Sequence, residues 1–403
     1  MSELLKDNLS YDNVLSLAKA INKQWAFDLA NFEKALLNYC QLEVGADSGW
    51  NFLTLMQRLK VSAKALHAVI PEKEGAAAVV STFQHAQLSH HELADKSFQN
   101  KKVFGWLSLI GCEYIAIHKQ LNIDIALTYL KQMTEYFSAE FAIRRLILAD
   151  PERVLTVLNH WLDDENEHVR RLISEGTRPR LPWGIRLPIF IQHPQWVLPL
   201  LKALRDDPSE YVRRSVANHL NDVAKDHPEL IITIAQQWLS KSELGMLKQT
   251  EYKNRHKLIR HACRTLLKQG NEEVLSLFGY YPAQDIECTL SSSTLEVPFG
   301  GVFEFELQLN FMGSQQEEIN NNLMIDYVLH FQKANAKQAA KVFKWLDRKG
   351  ISKEQEHIIK QHSFKAISTR KYYPGTHTLE VMVNGKIKAK IDFQLLAPSQ
   401  SYS

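Results

Sequence analysis

The sequence predicts a mainly α-helical fold, an array of helical repeats followed by an all-β sandwich. Three observations predict it: apolar residues recur with helical spacing to about residue 279, a unit repeats in the middle of the chain, and alternation with a period of two begins near residue 287. A chain of 403 residues exceeds the size that one hydrophobic core supports, so we expect two domains, residues 1–282 and 283–403.

Helical periodicity covers most of the first 140 residues. Pro71 is the only proline before Pro151, so few positions there would interrupt a helix. We expect an all-helical body in this part of the chain. The periodic segments are 11–21, 31–39, 52–68, 76–86, 91–97, 102–118 and 123–137.

The middle of the chain contains an internal repeat. DDENEHVRRLISEG from Asp163 aligns with DDPSEYVRRSVANH from Asp206 at an offset of 43 residues, and HKLIRHACRTLLKQG from His256 is a weaker third copy. This period is typical of HEAT-type repeats, which stack into a curved solenoid with a concave surface. A chance similarity between amphipathic helices is the alternative. The apolar helices predicted before the three copies are 154–162, 196–204 and 228–239.

From residue 287 onwards, short runs alternate apolar with polar residues. Asn384-Gly385 joins the last two runs and is the strongest short signal for a β-hairpin. Seven such runs in about 110 residues predict an immunoglobulin-like β-sandwich, here without a cysteine pair to lock it. The runs are 293–297, 302–310, 323–329, 342–346, 357–363, 375–383 and 386–394.

The composition is that of an ordinary soluble globular protein, with 45% hydrophobic residues, 23% charged residues and a net charge of +3. The four cysteines form no CxxC pair, which indicates reduced thiols in a cytosolic protein. No Cys/His cluster has zinc spacing, so we expect no metal site. Because the sequence contains neither a signal-peptide pattern nor a long apolar run, we expect cytoplasmic localisation and no membrane partner.

The segment 163–183, DDENEHVRRLISEGTRPRLPW, is the most informative about function. An acidic first turn followed by apolar residues at helical spacing predicts a helix. Arg171, Glu175 and Arg178 lie at i, i+4 and i+7, so they share one face of any helix that continues that far. A carboxylate between two guanidinium groups is expected to stay ionised. The segment indicates a site for a cationic group on a polyanion, and an exposed helix with surface salt bridges is the alternative.

Several of these motifs together resemble the AlkC branch of the AlkC/AlkD DNA alkylation-repair glycosylases. They are SEGTRPRLPW, the preceding VRR, the second copy VRRSVANHLND and the appended sandwich, so the resemblance covers nearly the whole chain. It implies a DNA glycosylase that hydrolyses the N-glycosidic bond of cationic alkylated bases, 3-methyladenine and 3-methylcytosine, in base excision repair. It also implies that double-stranded DNA is bound in the concave face without base flipping, and that the enzyme has no lyase activity. We expect a monomer, because a solenoid around one duplex needs no partner subunit.

The expected reaction depends on carboxylates. As the bond to C1′ breaks, the deoxyribose becomes oxocarbenium-like, and a preorganised carboxylate stabilises that charge or positions the attacking water. No metal and no cofactor are required. Glu175 is the first candidate, Asp222 in the matching repeat is the second, and Glu140 at the start of the preceding repeat helix is the third. The alternatives are pairing with the flanking arginines, a solvated helix end and simple helix N-terminal placement, respectively.

The remaining candidate residues would hold the DNA. Trp183 lies between Pro182 and Gly184 and is expected to be exposed and to stack on the sugar or on the cationic base, whereas a tryptophan is more often a core residue. Arginine suits bidentate phosphate contacts. Within each VRR pair one arginine is expected to support the scaffold, because neighbouring helix residues point about 100° apart. The arginine candidates are Arg171, Arg178, Arg180, Arg213 and Arg214.

Lys388 is the candidate DNA contact on the sandwich. It lies in the alternating run Lys386, Lys388 and Lys390, which would clamp the duplex or would only solubilise an edge strand. The alternative function for the whole chain is a non-catalytic HEAT-repeat scaffold that binds DNA or proteins. A protein adaptor that docks through the sandwich is a third possibility.

Overall fold

The computed structural model divides into two compact units. Met1–Asp226 with Lys248–Ala262 form the first unit, and His227–Leu247 with Cys263–Ser403 form the second. The predicted helix at 91–97 lies outside the described residues, and the domain boundary at residues 282 and 283 stays a prediction. The structure describes residues 5–46, 48–88, 101–245, 247–282, 284, 286–312, 322–350, 355–367 and 370–398.

The first unit is built of helices. No helix within the described ranges is both long enough and apolar enough to cross a membrane. The α-helices of this unit are α1 (Tyr11–Gln24), α2 (Leu29–Val44), α3 (Leu55–Val69), α4 (Gly75–Leu88), α5 (Lys101–Ile117), α6 (Ile123–Thr134), α7 (Ile143–Ala149), α8 (Pro151–His160), α9 (Glu167–Gly176), α10 (Pro188–Gln192), α11 (Leu198–Leu204), α12 (Glu210–Val223) and α15 (Gln249–Ala262). Short 3₁₀-helices lie at Leu5–Leu9, Trp50–Phe52 and Pro194–Trp196.

Local sequence signals explain where several of these helices begin. Thr54 and Gln57 form a reciprocal capping box at the start of α3. Asp150 accepts a hydrogen bond from the backbone N–H of Arg153, and Pro151 occupies the first turn of α8, where its missing N–H costs nothing. Asn166 caps α9 by accepting the backbone N–H of His168 at 2.8 Å.

The predicted repeat is present as a shared hydrogen-bond pattern. Arg170 of α9 donates to the backbone carbonyls of Asp164 and Glu165 at 2.7 and 3.0 Å. Arg213 of α12 donates to the corresponding carbonyls of Asp207 and Pro208, at 2.5 and 2.8 Å. The first arginine of each VRR pair therefore ties its helix to the acidic turn before it.

The second helices of the repeats pack side by side. Helix α9 packs on α12, and α12 packs on α15. Val169, Leu172 and Ile173, the apolar face expected from their spacing, are fully buried. Burial of such a face supplies most of the stability of a short helix, because isolated helices of this length are marginal in water.

In its described residues, the second unit combines four helices with the β-sandwich. The helices are α13 (Pro228–Trp238), α14 (Lys241–Leu244), α16 (Arg264–Lys268) and α17 (Glu272–Leu277). The strands are β1 (Ile286–Ser291), β2 (Glu296–Val297), β3 (Val302–Phe311), β4 (Leu323–Gln332), β5 (Gln338–Arg348), β6 (Gln355–Ser363), β7 (Gly375–Val383) and β8 (Lys386–Leu395).

The strands form two sheets around one core. The order is β1-β3-β6 in the first sheet and β2-β8-β7-β4-β5 in the second. Inward-facing aromatic side chains, among them Phe303, Phe305, Phe364 and Phe393, fill the buried cluster that the sheets share. The sequence did not predict β1, and of its first run, 293–297, only Glu296–Val297 is a strand.

The predicted hairpin turn at Asn384-Gly385 joins β7 to β8 and also fixes the end of the helical segment in the same unit. Gly270 and Gly385 have φ of +74° and +84°, and a Cβ on Gly270 would lie 2.5 Å from the carbonyl oxygen of Gly385. The buried Asn384 side chain donates to the carbonyls of Tyr281 and Asn322, at 2.8 and 2.9 Å. We call Gly270, Asn384 and Gly385 the hairpin clasp.

Gly270→Ala is expected to lower the free energy of unfolding by about 3 kcal/mol. A left-handed backbone costs alanine about 1 kcal/mol, and the steric clash with the Gly385 backbone adds about 2 kcal/mol. Gly300→Ala is the matched control, because Gly300 has φ of +78° with no atom within 4 Å of its Cβ position. Urea unfolding of both full-length variants measures the difference, and equal midpoints would refute a role for the close approach.

Candidate active site

Five charged side chains of the first unit form one continuous chain in which the signs alternate. The order is Glu140, Arg171, Glu175, Arg178, Asp222. Arg171 forms an ion pair with Glu140 and lies 3.6 Å from Glu175, as measured from Nη2 to Oε1. Arg178 bonds Glu175 Oε1 at 2.6 Å and Asp222 Oδ2 at 2.9 Å. We call this arrangement the alternating charge chain.

Helix α9 and the turn after it place the centre of the charge chain. Arg171 and Glu175 lie one turn apart on α9, as their spacing predicts. The helix ends at Gly176, where a Cβ would lie 2.7 Å from the Ile143 side chain of α7. Arg178 follows in a turn, and its N–H donates to the carbonyl of Glu175 at 3.3 Å. The three side chains therefore meet although the helix stops before Arg178.

Glu175 is buried but remains ionised. Only 5% of the residue is exposed, and Oε2 accepts a hydrogen bond of 2.6 Å from the Ser215 hydroxyl of α12. Burial acts to raise the pKa of Glu175. The charges of Arg171 and Arg178 and the hydrogen bonds from Ser215 and Arg178 outweigh burial, so the pKa lies below its ordinary value.

Asp222, which lies on α12, is the second carboxylate of the alternating charge chain. It is 1% exposed, so it is not a solvated helix end. Its carboxylate accepts from Arg178 Nε and from Lys225 Nζ, at 2.9 and 3.0 Å. Burial acts to lower the pKa of Arg178, but Glu175 and Asp222 together raise it above the usual value. Asp222 therefore fixes the guanidinium that holds Glu175.

Glu140 lies at the other end of the alternating charge chain, in the turn before α7. Its side chain is 13% exposed and accepts a hydrogen bond of 2.8 Å from the Ser138 hydroxyl. Arg171 donates to Ser138 as well as to Glu140, and its guanidinium lies 5.1 Å from the ring centroid of Tyr211. Of the three carboxylates, Glu140 has the greatest access to solvent.

The loop after α9 presents Trp183 at the surface, as expected from its position between Pro182 and Gly184. Trp183 is 61% exposed and has φ of +64°, a left-handed conformation that costs a bulky residue free energy. The fully buried Arg144 of α7 holds this loop by donating to the carbonyls of Gly176, Arg178 and Ile185, at 2.9, 2.6 and 2.5 Å. Burial lowers the pKa of Arg144 to about 10, which still leaves it cationic at neutral pH.

The other arginines predicted to contact DNA differ in their exposure and in their hydrogen-bond partners. Arg180 forms a bidentate pair with Asp226 at 2.7 and 2.8 Å. Arg213 donates to the carbonyls of the acidic turn, whereas Arg214 is exposed and lines a cavity of about 200 Å³ beside Lys257. Arg171, Arg214 and Lys257 occupy equivalent repeat positions, each 43 residues from the next. Their roles in binding DNA stay predictions.

Lys388 lies on β8 in the second unit and is half-buried. The β7–β8 ladder has a register shift that leaves Lys388 without a partner residue on β7, because Val381 pairs with Ala389 and Met382 with Ile387. Its neighbour Lys386 forms an ion pair with Glu272. β8 pairs with β7 along its length and with β2 only at its end.

Sequence reasoning missed three side chains that organise the site. Ser215 and Ser138 hydrogen-bond carboxylates of the charge chain, and Arg144 holds the loop that follows it. For Arg144 a signal exists, because IRRL at 143–146 matches VRRL at 169–172. Ser215 lies in the second repeat copy, but its counterpart in the first copy is Leu172, so the repeat does not mark it, and Ser138 lies outside the aligned copies. Among the described residues, groups of three metal-ligating side chains do not occur.

Residues 287–397 match the family described as "Uncharacterised protein YhaZ, C-terminal Ig-like domain". The chain is 34% identical over 347 residues to the "Uncharacterized protein YhaZ" of Bacillus subtilis (strain 168), an alignment that covers 86% of this chain and 88% of that protein.

A solved structure is similar over almost the full length. It is the Pseudomonas fluorescens alkylpurine DNA glycosylase AlkC bound to DNA containing an abasic site analog. The TM-score is 0.81 and the identity 31%, with 98% of this chain and 99% of that chain covered. Together these similarities confirm the predicted fold class, a HEAT-like helical-repeat body with an immunoglobulin-like sandwich.

Arg144→Lys is expected to lower the free energy of unfolding by about 3 kcal/mol. Lysine keeps the charge but cannot donate from a planar fork to three carbonyls, so buried acceptors lose their partners. Arg186→Lys, an exposed arginine of the same loop, should change stability by less than about 0.5 kcal/mol. Urea unfolding followed by tryptophan fluorescence compares the two variants. Equal midpoints would show that Arg144 does not hold the loop.

Proposed function

The chain belongs to the AlkC family of DNA glycosylases, and we propose that it removes cationic alkylated bases from double-stranded DNA. The finer proposal is hydrolysis of the N-glycosidic bond of 3-methyladenine and 3-methylcytosine, without base flipping, in base excision repair. The observation that carries it is the alternating charge chain, which holds three ionisable carboxylates next to an exposed tryptophan loop. We further infer a monofunctional, monomeric enzyme that acts in the cytoplasm.

The substrate supplies much of the reactivity. Alkylation of a ring nitrogen gives the base a positive charge, so the base leaves with the electron pair of the C1′–N bond and becomes neutral. Positive charge then develops on the deoxyribose, where a fixed carboxylate stabilises it. Water adds to C1′ and loses a proton to a carboxylate, as in glycoside hydrolysis. The products are the free base and an abasic site.

We assign Glu175 as the carboxylate that stabilises the deoxyribose cation. Its pKa is held below the ordinary value, so it is anionic at neutral pH. Arg178 and Ser215 fix its two oxygens from different elements, which removes the need to reorient it during the reaction. Asp222 orients Arg178. Glu140 is the least buried of the three carboxylates and is, after Glu175, the next candidate to accept the proton of water.

We assign Trp183 and the cations at equivalent repeat positions to DNA binding. The exposed indole offers a flat surface to the cationic base or to the sugar, an interaction of about 1–2 kcal/mol when desolvated. Arg171, Arg214 and Lys257 recur once per repeat, as a partner with evenly spaced phosphates requires. Arg180 would add phosphate contacts and Lys388 would do so from the sandwich, whereas Arg178 and Arg213 would support the site, because they already donate to carboxylates and to the carbonyls of an acidic turn.

Glu175→Gln is expected to reduce the rate of 3-methyladenine release by about 100- to 1,000-fold, because glutamine is neutral but nearly isosteric. Affinity for duplex DNA containing an abasic-site analog should change little. Glu165→Gln, at an exposed glutamate of the same segment, should leave both unchanged. Chromatography of bases released from methylated DNA and fluorescence anisotropy provide the measurements. Unaltered release by Glu175→Gln would remove Glu175 from the mechanism, and DNA binding by the wild type without base release would favour the scaffold alternative.

Trp183→Ala should slow excision by about tenfold, the equivalent of losing one cation–π contact. Trp183→Phe retains an aromatic ring and should retain part of that rate. Trp196→Ala is the matched control, because Trp196 is also exposed, at 36%, but lies on a 3₁₀-helix away from the Trp183 loop in sequence. Single-turnover excision assays measure all three. Equal rates for Trp183→Ala and Trp196→Ala would exclude an aromatic role for Trp183.

A further inference from the structure

We propose that Ser215 is a positioning residue, and that the hydroxyls of Ser174 and Ser215 form a directed hydrogen-bond relay that orients Glu175. This inference rests on the proposed function, because it assigns the relay to the carboxylate that would stabilise the deoxyribose cation. It adds a specific mechanical and electrostatic role for two buried serines on neighbouring repeat helices. Neither serine touches substrate in the proposal.

The distances fix the direction of the relay. Ser215 Oγ lies 2.6 Å from Glu175 Oε2, and Ser174 Oγ lies 2.6 Å from Ser215 Oγ. An ionised carboxylate can only accept, so the single proton of Ser215 is donated to Glu175. Ser215 must then accept from Ser174. Two hydroxyls in series polarise each other, which strengthens the bond that reaches the carboxylate.

Burial makes the relay persistent. Ser174 is fully buried and Ser215 nearly so, so water does not compete for these donors. The relay reaches Glu175 from α12, whereas Arg171 and Arg178 approach its other oxygen from α9 and the turn after it. Constraints from two packed helices hold both carboxylate oxygens. Loss of the Ser215 hydroxyl would leave Oε2 without that donor in a buried site.

The effect on ionisation has a definite sign. A hydrogen bond to the ionised form favours that form, so removal of the Ser215 hydroxyl raises the pKa of Glu175. A larger fraction of Glu175 is then protonated at mildly acid pH, and the rate falls there. The charged and titratable groups that face Glu175 from its own and neighbouring elements stay in place: Arg171, Arg178, Glu140, Arg144, Tyr211, His219 and Asp222.

The experiment compares full-length Ser215→Ala, Ser215→Thr and Ser174→Ala with the wild type. Single-turnover release of 3-methyladenine is measured from below pH 4.5, the ordinary pKa of a glutamate, to neutral pH, with spontaneous release subtracted. In Ser215→Ala, the acid limb of the pH–rate profile, where the rate falls as Glu175 is protonated, should move toward higher pH by about one pH unit. Ser215→Thr keeps a hydroxyl and should restore the wild-type limb. Ser174→Ala should shift the limb less, because Ser215 can still donate.

The controls separate positioning from folding and from function. A merely structural role would lower the rate by the same factor at every pH, so an unshifted acid limb in Ser215→Ala overturns the proposal. If the wild type releases no base, the proposed function fails while the relay is still tested. In that case, carbon NMR titration of the Glu175 carboxyl in the free protein must show a higher pKa in Ser215→Ala, and an equal pKa overturns the relay.

Discussion

The cost of burying a carboxylate is the constraint on which the candidate site depends. A charge removed from water is tolerated only when an opposite charge and hydrogen bonds replace its hydration. The protein meets this requirement by alternating the sign along Glu140, Arg171, Glu175, Arg178 and Asp222. Each inner member serves two neighbours. Removal of Arg171 or Arg178 therefore takes an opposite charge from two carboxylates at once, and the alternating charge chain holds together the segments that carry it.

The same arrangement limits what each arginine can do. Arg171 and Arg178 donate hydrogen bonds to carboxylates. Arg170 and Arg213 donate theirs to the backbone carbonyls of the acidic turns. The arginines that cluster in this part of the sequence therefore have three roles: some support the scaffold, some compensate buried carboxylates, and others lie at the surface. In the proposed mechanism, the fixed ion network lets the buried Glu175 act on a reaction at the surface, because its orientation is set during folding and not during catalysis.

Local patterns predicted the parts of this structure that local interactions determine. Period and motif identified the repeat, the i, i+4 spacing placed Arg171 and Glu175 one turn apart on α9, and Asn384-Gly385 marked the β7–β8 turn. The rest depends on partners distant in sequence. Ser215 acts on a residue 40 positions away, Arg144 on carbonyls more than 30 positions away, and the left-handed backbone of Trp183 is held by that loop packing. Period alone cannot indicate such contacts, and the weak alternation of β1 gave little signal.

Comparison of equivalent repeat positions distinguishes two kinds of site on the same array. The position of Arg171 is cationic in all three copies, as Arg214 and Lys257. The position of Glu175 is not kept: it is Asn218 in the next copy and His261 in the third, and these two bond each other at 2.8 Å. A feature repeated in each copy suits a periodic partner such as a phosphate backbone, whereas a feature present once suits a single point along that partner. At these two positions the array therefore has a cation in every copy and a carboxylate in one copy only, which fits the proposed attack on one damaged nucleotide in a long duplex.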